Sequence, residues 1–99
     1  MLPTHQAPPH PGEILLEEFL EPLGITQTAL AEHLGIPTQR VNEIVRGKRG
    51  ISPETAWLLS AALETTPGFW MHLQMQYDLY CNRPSTRKGS LLRAESTRI

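Results

Sequence analysis

The side chains best suited to binding another molecule lie together between residues 38 and 50. The segment reads TQRVNEIVRGKRG and carries four basic residues against one acidic residue, with two side-chain amides among them. Amide, guanidinium and carboxylate groups can hydrogen-bond to base edges in a DNA major groove, while basic groups bind phosphates. The segment therefore has the chemistry of a nucleic-acid contact, provided that one element presents its polar groups on one side.

Apolar residues at intervals of three and four predict that this element is a helix from about Thr38 to Arg46. Val41, Ile44 and Val45 form its inward stripe. Because successive residues turn by about 100°, Gln39 and Glu43 point away from that stripe and are the expected base-reading residues. The side chains that flank them on the same face are Arg40, Asn42 and Arg46.

Phosphate contacts are expected on either side of this face, where they would position the protein without reading sequence. Gln27 begins the preceding helix, and Lys48 and Arg49 belong to the basic loop that follows the reading helix. We assign these three residues to the DNA backbone.

A second short helix must hold the reading helix in place. Thr26 is a good N-cap, Gln27 to Leu34 follows with helical periodicity, and Gly35 ends the helix. Ala31 is small enough for two helices to cross closely at its position. Two short helices joined by a short glycine-containing turn are the sequence form of a helix-turn-helix.

Three further helices complete an all-α prediction. Glu13 to Glu21 is amphipathic and is followed by Pro22 and Gly24, which predict its end. Ser52-Pro53 begins a helix to about Leu63, and Thr66-Pro67 begins one that runs from Gly68 to about Cys81. The predicted domains are a proline-rich extended arm over residues 1–12, the helix-turn-helix domain over 13–82 and a mobile basic tail over 83–99.

The fifth helix has more apolar surface than one contact needs. Phe69, Trp70, Leu73, Tyr77 and Tyr80 form one stripe, and Met71, Met75 and Leu79 form another. A helix that is apolar on two sides is usually buried on both. We expect a symmetric dimer with Trp70, Met71, Met75 and Leu79 at its interface, the alternative being that both stripes fill the core of one protomer.

Charge is segregated along the chain although the net charge is only −1. Residues 1–37 carry −5, residues 38–50 carry +3, residues 51–82 carry −3 and residues 83–99 carry +4. Because salt limits the reach of each charge to about 10 Å, a local basic patch is enough for DNA. No apolar run is long enough to span a bilayer and the N-terminus lacks the features of a signal peptide, so we expect a cytoplasmic protein.

Enzymatic chemistry has little support in the sequence. The four histidines are scattered and the single cysteine excludes a cysteine-rich metal site. There is no phosphate-binding glycine loop and no pattern of an activated nucleophile. We therefore expect no catalytic residue, no metal and no cofactor.

Residues 26–63, from TQTALAEHLGIPTQR to ETAWLLSAAL, resemble the lambda-repressor-like (Xre) helix-turn-helix. With HPGEILLEEFLEPLGIT before them and TPGFWMHLQMQYDLY after them, residues 10–82 resemble the HigA antitoxins of bacterial toxin–antitoxin operons. One position departs from the family: Pro37 stands where a Ser or Thr usually caps the reading helix, and proline has no side-chain acceptor.

The resemblance implies a dimeric, five-helix bacterial repressor that binds a palindromic operator in its own promoter and neutralises a HigB-like, RelE-fold toxin that cuts mRNA. It places Gln27, Thr38, Gln39, Arg40 and Glu43 at DNA-contacting positions, with Arg46 and Lys48 beside the backbone. Three surfaces could bind this toxin: the proline-rich arm, the acidic first helix and the basic tail. Such a ribonuclease is expected to be basic, which favours the first helix together with the arm. The acidic residues of that helix are Glu13, Glu17, Glu18 and Glu21.

Two alternatives stay open at this point. The chain could be a stand-alone or phage-type Xre repressor without a toxin, or a protein-binding module that uses the fold only as a scaffold. The glutamates of the first helix could equally form a solvated helix face.

Overall fold

The computed structural model describes residues 7–84, which form five helices and no strand. Helix α1 occupies residues 11–23, in an α-helical segment Pro11–Ile14, a π-helical segment Leu15–Leu20 and an α-helical segment Glu21–Leu23. Helix α2 spans Gln27–Leu34, α3 Thr38–Val45, α4 Pro53–Leu63 and α5 Pro67–Cys81. The all-α, five-helix prediction is confirmed. Half of the predicted arm, residues 1–6, and most of the predicted tail, residues 85–99, lie outside the described residues.

Hydroxyl side chains cap the N-termini of three helices, as the sequence predicts. The Oγ1 atom of Thr26 accepts a hydrogen bond from the backbone N–H of Ala29 at 3.0 Å. Ser52 accepts in the same way from Thr55 at 3.2 Å, and Thr66 from Phe69 at 3.0 Å. Each cap satisfies a backbone donor that the first turn leaves without a partner, and such caps typically contribute about 1 kcal/mol.

Helix α1 begins at Pro11, two residues before the predicted start. His10 is its N-cap, and the His10 Nδ1 atom accepts a hydrogen bond from the backbone N–H of Gly12 at 2.9 Å. The His10 ring also packs edge-on against Tyr77 of α5. Burial lowers the pKa of His10, against the opposing charges of Asp78 and Glu13, so the neutral ring that can accept this hydrogen bond is favoured. Pro11 and Gly12 therefore belong to the folded domain rather than to an extended arm.

Gly12 is buried where α1 packs against the backbone of α3. A methyl group at Gly12 would overlap the carbonyl group of Ile44 and would lie 3.0 Å from the Cα atom of Val45. Only a residue without a side chain permits this approach. The first turn of α1 thus rests directly on the last turn of α3.

Pro22 lies inside α1 rather than after it, which corrects the predicted end of the helix. In an α-helix its ring would clash with the carbonyl group four residues earlier. The preceding turn is π-helical, and the N–H of Glu21 bonds to the carbonyl of Leu16, five residues back. The wider turn accommodates the proline. The helix ends at Leu23, and Gly24, its C-cap, adopts a left-handed conformation with φ 69°.

Every helix contributes to one apolar core. Trp70 is fully buried at its centre, contacts the rings of Phe19 and Phe69, and donates from Nε1 to the Thr65 hydroxyl at 2.7 Å. The other buried apolar residues are Leu15, Leu20, Leu30, Ala31, Val41, Ile44, Ile51, Ala56 and Leu59. No helix within residues 7–84 is long and apolar enough to cross a membrane.

The Gly12 contact generates a stability prediction. Gly12→Ala should lower the free energy of unfolding by about 3 kcal/mol, because the added methyl group meets backbone atoms that cannot rotate away. Urea denaturation followed by circular dichroism measures the change. The matched control is Gly68→Ala, whose methyl group would find its nearest neighbour at 3.9 Å, and it should leave stability unchanged or raise it by up to about 1 kcal/mol. Equal effects of the two substitutions would contradict the packing described here.

Candidate nucleic-acid interface

Helices α2 and α3 are joined by a turn of three residues, Gly35 to Pro37. Gly35 has φ 74°, and its N–H bonds to the carbonyl of Ala31 at 2.9 Å, as does the N–H of Ile36 at 3.1 Å. Ala31 is fully buried at the crossing of the helices. The turn therefore has the geometry that the helix-turn-helix prediction required, with a left-handed glycine at the exit of α2 and a small residue at the crossing.

Helix α3 begins at Thr38, with Pro37 at the N-cap. The extended backbone of Pro37 lets its carbonyl accept from the N–H of Arg40 at 3.0 Å, although no side chain caps the helix. The departure from a Ser or Thr cap thus leaves the start of the helix at the predicted residue. Thr38 stands exposed in the first turn.

The inward and outward faces of α3 are divided as predicted. Val41 and Ile44 are buried and Val45 is half-buried. Thr38, Gln39 and Arg46 are exposed, and Arg40 and Glu43 are half-buried on the polar side. Helix α3 ends at Val45, and Arg46 is its C-cap rather than its last residue.

Asn42 differs from the other polar residues of α3 because it contacts α2. Its Nδ2 atom donates to Oε1 of Gln27 at 3.2 Å, across a partly buried contact. A hydrogen bond between the two helices restrains their relative position. This geometry gives Gln27 and Asn42 a positioning role within the motif, beside the DNA contact predicted for each from the sequence.

Glu43 is the centre of a small polar network. Its Oε1 atom accepts from Nε of Arg49 at 2.9 Å, and its Oε2 atom accepts from Nε2 of Gln39 at 3.4 Å. The backbone follows the same path: Gly47 has φ 75°, and the N–H groups of Lys48 and Arg49 bond to the Glu43 carbonyl at 2.8 and 3.2 Å. The basic loop therefore folds back onto the last turn of α3.

A polar recess of about 230 Å³ opens on this side of the molecule. Two guanidinium groups and one carboxylate surround it, so its local charge is positive. Its lining residues are Pro37, Gln39, Arg40, Glu43 and Arg49. Arg46 and Lys48 lie between the lining residues Glu43 and Arg49 in the sequence, and both are exposed. This arrangement can offer hydrogen-bond donors and positive charge to an electronegative surface.

The predicted dimer residues do not share one environment. Met75 and Leu79 are 48% and 65% exposed, and Met71 is half-buried against the core. Trp70 is fully buried and cannot line a surface, which corrects its inclusion in the interface. Trp57 is 67% exposed on α4.

The four glutamates of α1, Glu13, Glu17, Glu18 and Glu21, are all exposed. Glu18 also lies at the edge of an apolar groove formed with Phe19, Leu23 and Ile25, with a second carboxylate, Glu64, on its α4 side. Glu64 ends α4 in a left-handed conformation, with φ 58°. No sequence pattern predicted this groove, because its lining residues come from separate helices.

Comparison with known protein families gives a match to the helix-turn-helix family over residues 16–70. The chain is 42% identical over 83 residues to antitoxin HigA-1 of Vibrio cholerae, covering 84% of this chain and 78% of that protein. It is 46% identical over 70 residues to virulence-associated protein I of Dichelobacter nodosus. The chain spans less than two thirds of that protein and of virulence-associated protein A′, 65% and 63% of their lengths.

Solved structures with the same fold include complexes with DNA. The Pseudomonas aeruginosa antitoxin HigA with the higBA promoter is 40% identical, with a TM-score of 0.78 over 86% of this chain and 96% of that one. The antitoxin GraA in complex with its operator is 43% identical, with a TM-score of 0.79 over 89% of this chain and 92% of that one. These relatives are named as antitoxins, not as enzymes.

Proposed function

Because the chain belongs to the helix-turn-helix family and is a relative of the HigA antitoxins, we propose that it is an autorepressing antitoxin. In this proposal it binds a palindromic operator in its own promoter and neutralises a HigB-like, RelE-fold, mRNA-cleaving toxin. The observation that carries the DNA-binding half is the outward polar face of α3, whose opposite face is fixed in the core by Val41 and Ile44. The related HigA and GraA structures hold promoter and operator DNA, which supports the same conclusion.

The outward face of α3 enters the major groove in this proposal. Gln39 and Arg40 lie on its first turn, where a recognition helix contacts base edges. Arg46 and Lys48 are exposed after the helix and contact phosphates, while Thr38 contacts DNA at the helix start. Gln27 and Asn42 hold α2 and α3 together at the edge of the same surface.

Two substitutions should separate base reading from phosphate binding. Gln39→Ala removes an amide that can pair with adenine, so discrimination among sequences should fall by about 1 to 3 kcal/mol with little change in the salt dependence. Lys48→Ala removes one phosphate contact, so affinity for all sequences should fall and the slope of log K against log salt should flatten by about one. Fluorescence anisotropy on the protein's own promoter and on random DNA, at several salt concentrations, measures both.

The reverse pattern of effects would contradict the assigned roles. Equal affinity of the unaltered protein for promoter and random DNA would leave no sequence-reading function, and would favour a protein-binding module that uses the fold as a scaffold.

We infer that the operator is bound by a dimer formed through α5. A twofold dimer places two recognition helices about 34 Å apart, in successive major grooves of a palindrome. Met75 and Leu79 are exposed on this helix, and Met71 belongs to the same apolar stripe. With Trp70 assigned to the core, these three residues form the proposed interface.

Met75→Glu tests the proposed interface. A carboxylate at its centre would be desolvated on association, so the mass measured by light scattering should shift towards the monomer and operator binding should weaken. Gln76→Glu adds the same charge at the adjacent exposed position and is the matched control, expected to stay dimeric. A monomeric unaltered protein would refute the dimer, and an unchanged mass for Met75→Glu would refute this interface.

The toxin-binding surface is proposed on α1, where the exposed glutamates give an acidic face to a basic partner. The experiment is co-purification with the product of the adjacent reading frame, which family analogy predicts to be a basic protein. Changing Glu13, Glu17, Glu18 and Glu21 together to Gln should release the partner without weakening operator binding. Glu32→Gln with Glu54→Gln, at exposed positions on α2 and α4, should retain it.

Retention of the partner by the α1 variant would place the toxin elsewhere. Absence of any co-purifying product, with operator binding intact, would leave the chain a stand-alone Xre repressor.

A further inference from the structure

We propose that Arg49 reads a guanine in the operator and that Glu43 acts as the residue that positions it. This inference rests on the proposed DNA-binding function. It changes two assignments made from the sequence, in which Arg49 bound a phosphate and Glu43 read a base directly. The evidence is the geometry by which the loop after α3 returns to the outward face of that helix.

The backbone of the loop brings Arg49 back to α3. Gly47 turns the chain with φ 75°, and the N–H groups of Lys48 and Arg49 both bond to the Glu43 carbonyl, at 2.8 and 3.2 Å. These two bonds fix the start of the Arg49 side chain beside the last turns of the helix. Arg49 therefore shares the polar recess with Gln39 and Arg40, although it lies outside α3 in sequence.

The side chain of Arg49 is then oriented by Glu43. The hydrogen bond of 2.9 Å joins the Nε atom of Arg49 to Oε1 of Glu43, and the two side chains are 52% and 30% exposed. Within residues 7–84, neither Nη group of Arg49 has a hydrogen-bond partner. Two parallel donors on the Nη edge match the O6 and N7 acceptors of guanine, the commonest specific contact of an arginine in the major groove.

The Glu43 carboxylate favours a base over a phosphate at this edge. A phosphate held by the same guanidinium would bring its negative charge close to Glu43, and like charges in one contact oppose binding. The guanine edge offers neutral acceptors and meets no such repulsion. Since Glu43 already accepts from Arg49 and Gln39, its role is to hold donors in place.

The test begins with selection of binding sites from a random duplex library by the full-length protein. Each half of the selected site should contain a guanine. Sites with any other base at that position should bind the protein roughly 5- to 150-fold more weakly. Arg49→Lys keeps the charge but loses the paired donors, so this preference should fall to about threefold or less while the salt slope stays unchanged. Lys48→Ala is the matched control: it should weaken all sites and retain the guanine.

Glu43→Gln distinguishes positioning from charge. Removing a negative charge would by itself strengthen binding to all DNA. If Glu43 orients Arg49, the preference for that same guanine should nevertheless fall. Stronger binding to all DNA with an unchanged selected site would overturn the positioning role, and so would loss of preference at a cytosine instead. Thermal unfolding of each variant checks that the fold is retained.

A modified base tests the contact without changing the protein. Replacing the selected guanine by 7-deazaguanine removes the N7 acceptor, and the unaltered protein should then lose at least fivefold in affinity. Arg49→Ala should be insensitive to the replacement. Retention of the guanine preference by Arg49→Lys, or equal sensitivity of both proteins, overturns the inference alone, whereas selection of no site by the unaltered protein overturns the proposed DNA-reading function as well.

Discussion

The arrangement of the molecule depends on the approach of one backbone to another, where Gly12 of α1 lies against Ile44 and Val45 of α3. A side chain at Gly12 would force the two helices apart, so this contact sets how α3 sits on the rest of the domain. His10 fixes the first turn of α1 through its cap and also lies against Gly47, at the start of the basic loop. The N-terminal turn of α1 thus packs against both the helix that bears the polar face and the loop that follows it.

Much of this architecture could be predicted because its signals are local. The hydroxyl caps at Thr26, Ser52 and Thr66 and the glycine after α2 are read from adjacent residues, and each was found in place. The division of α3 into a buried and a polar face follows from its periodicity alone. The family resemblance extended these local signals to the whole domain, and the similarity to HigA relatives confirms it.

Features that depend on contacts between distant residues could not be predicted in the same way. The proline-rich composition of residues 1–12 favours an extended arm, but Pro11 begins α1 under the His10 cap, and Gly12 packs against α3. Trp70 and Trp57 have the same chemistry, but one fills the core and the other is exposed because of where their helices pack. Pro22 normally marks a helix end, and the π-helical turn that admits it has no simple sequence pattern. Glu43 and Arg49 meet through a loop conformation, so their pairing could not be read from periodicity.

The distribution of charge determines which side of the domain attracts DNA. The N-terminal 37 residues carry −5, whereas the reading segment and its loop carry +3. The first turn of α1 meets α3 at the uncharged Gly12, and the carboxylates of α1 are exposed to solvent. Over the 8 to 10 Å that salt leaves to each charge, an acidic α1 repels a polyanion while the basic loop attracts it. A chain with a net charge of −1 can therefore present a positively charged face to DNA. The reason is that a phosphate interacts with the charges nearest to it and not with the total charge of the protein.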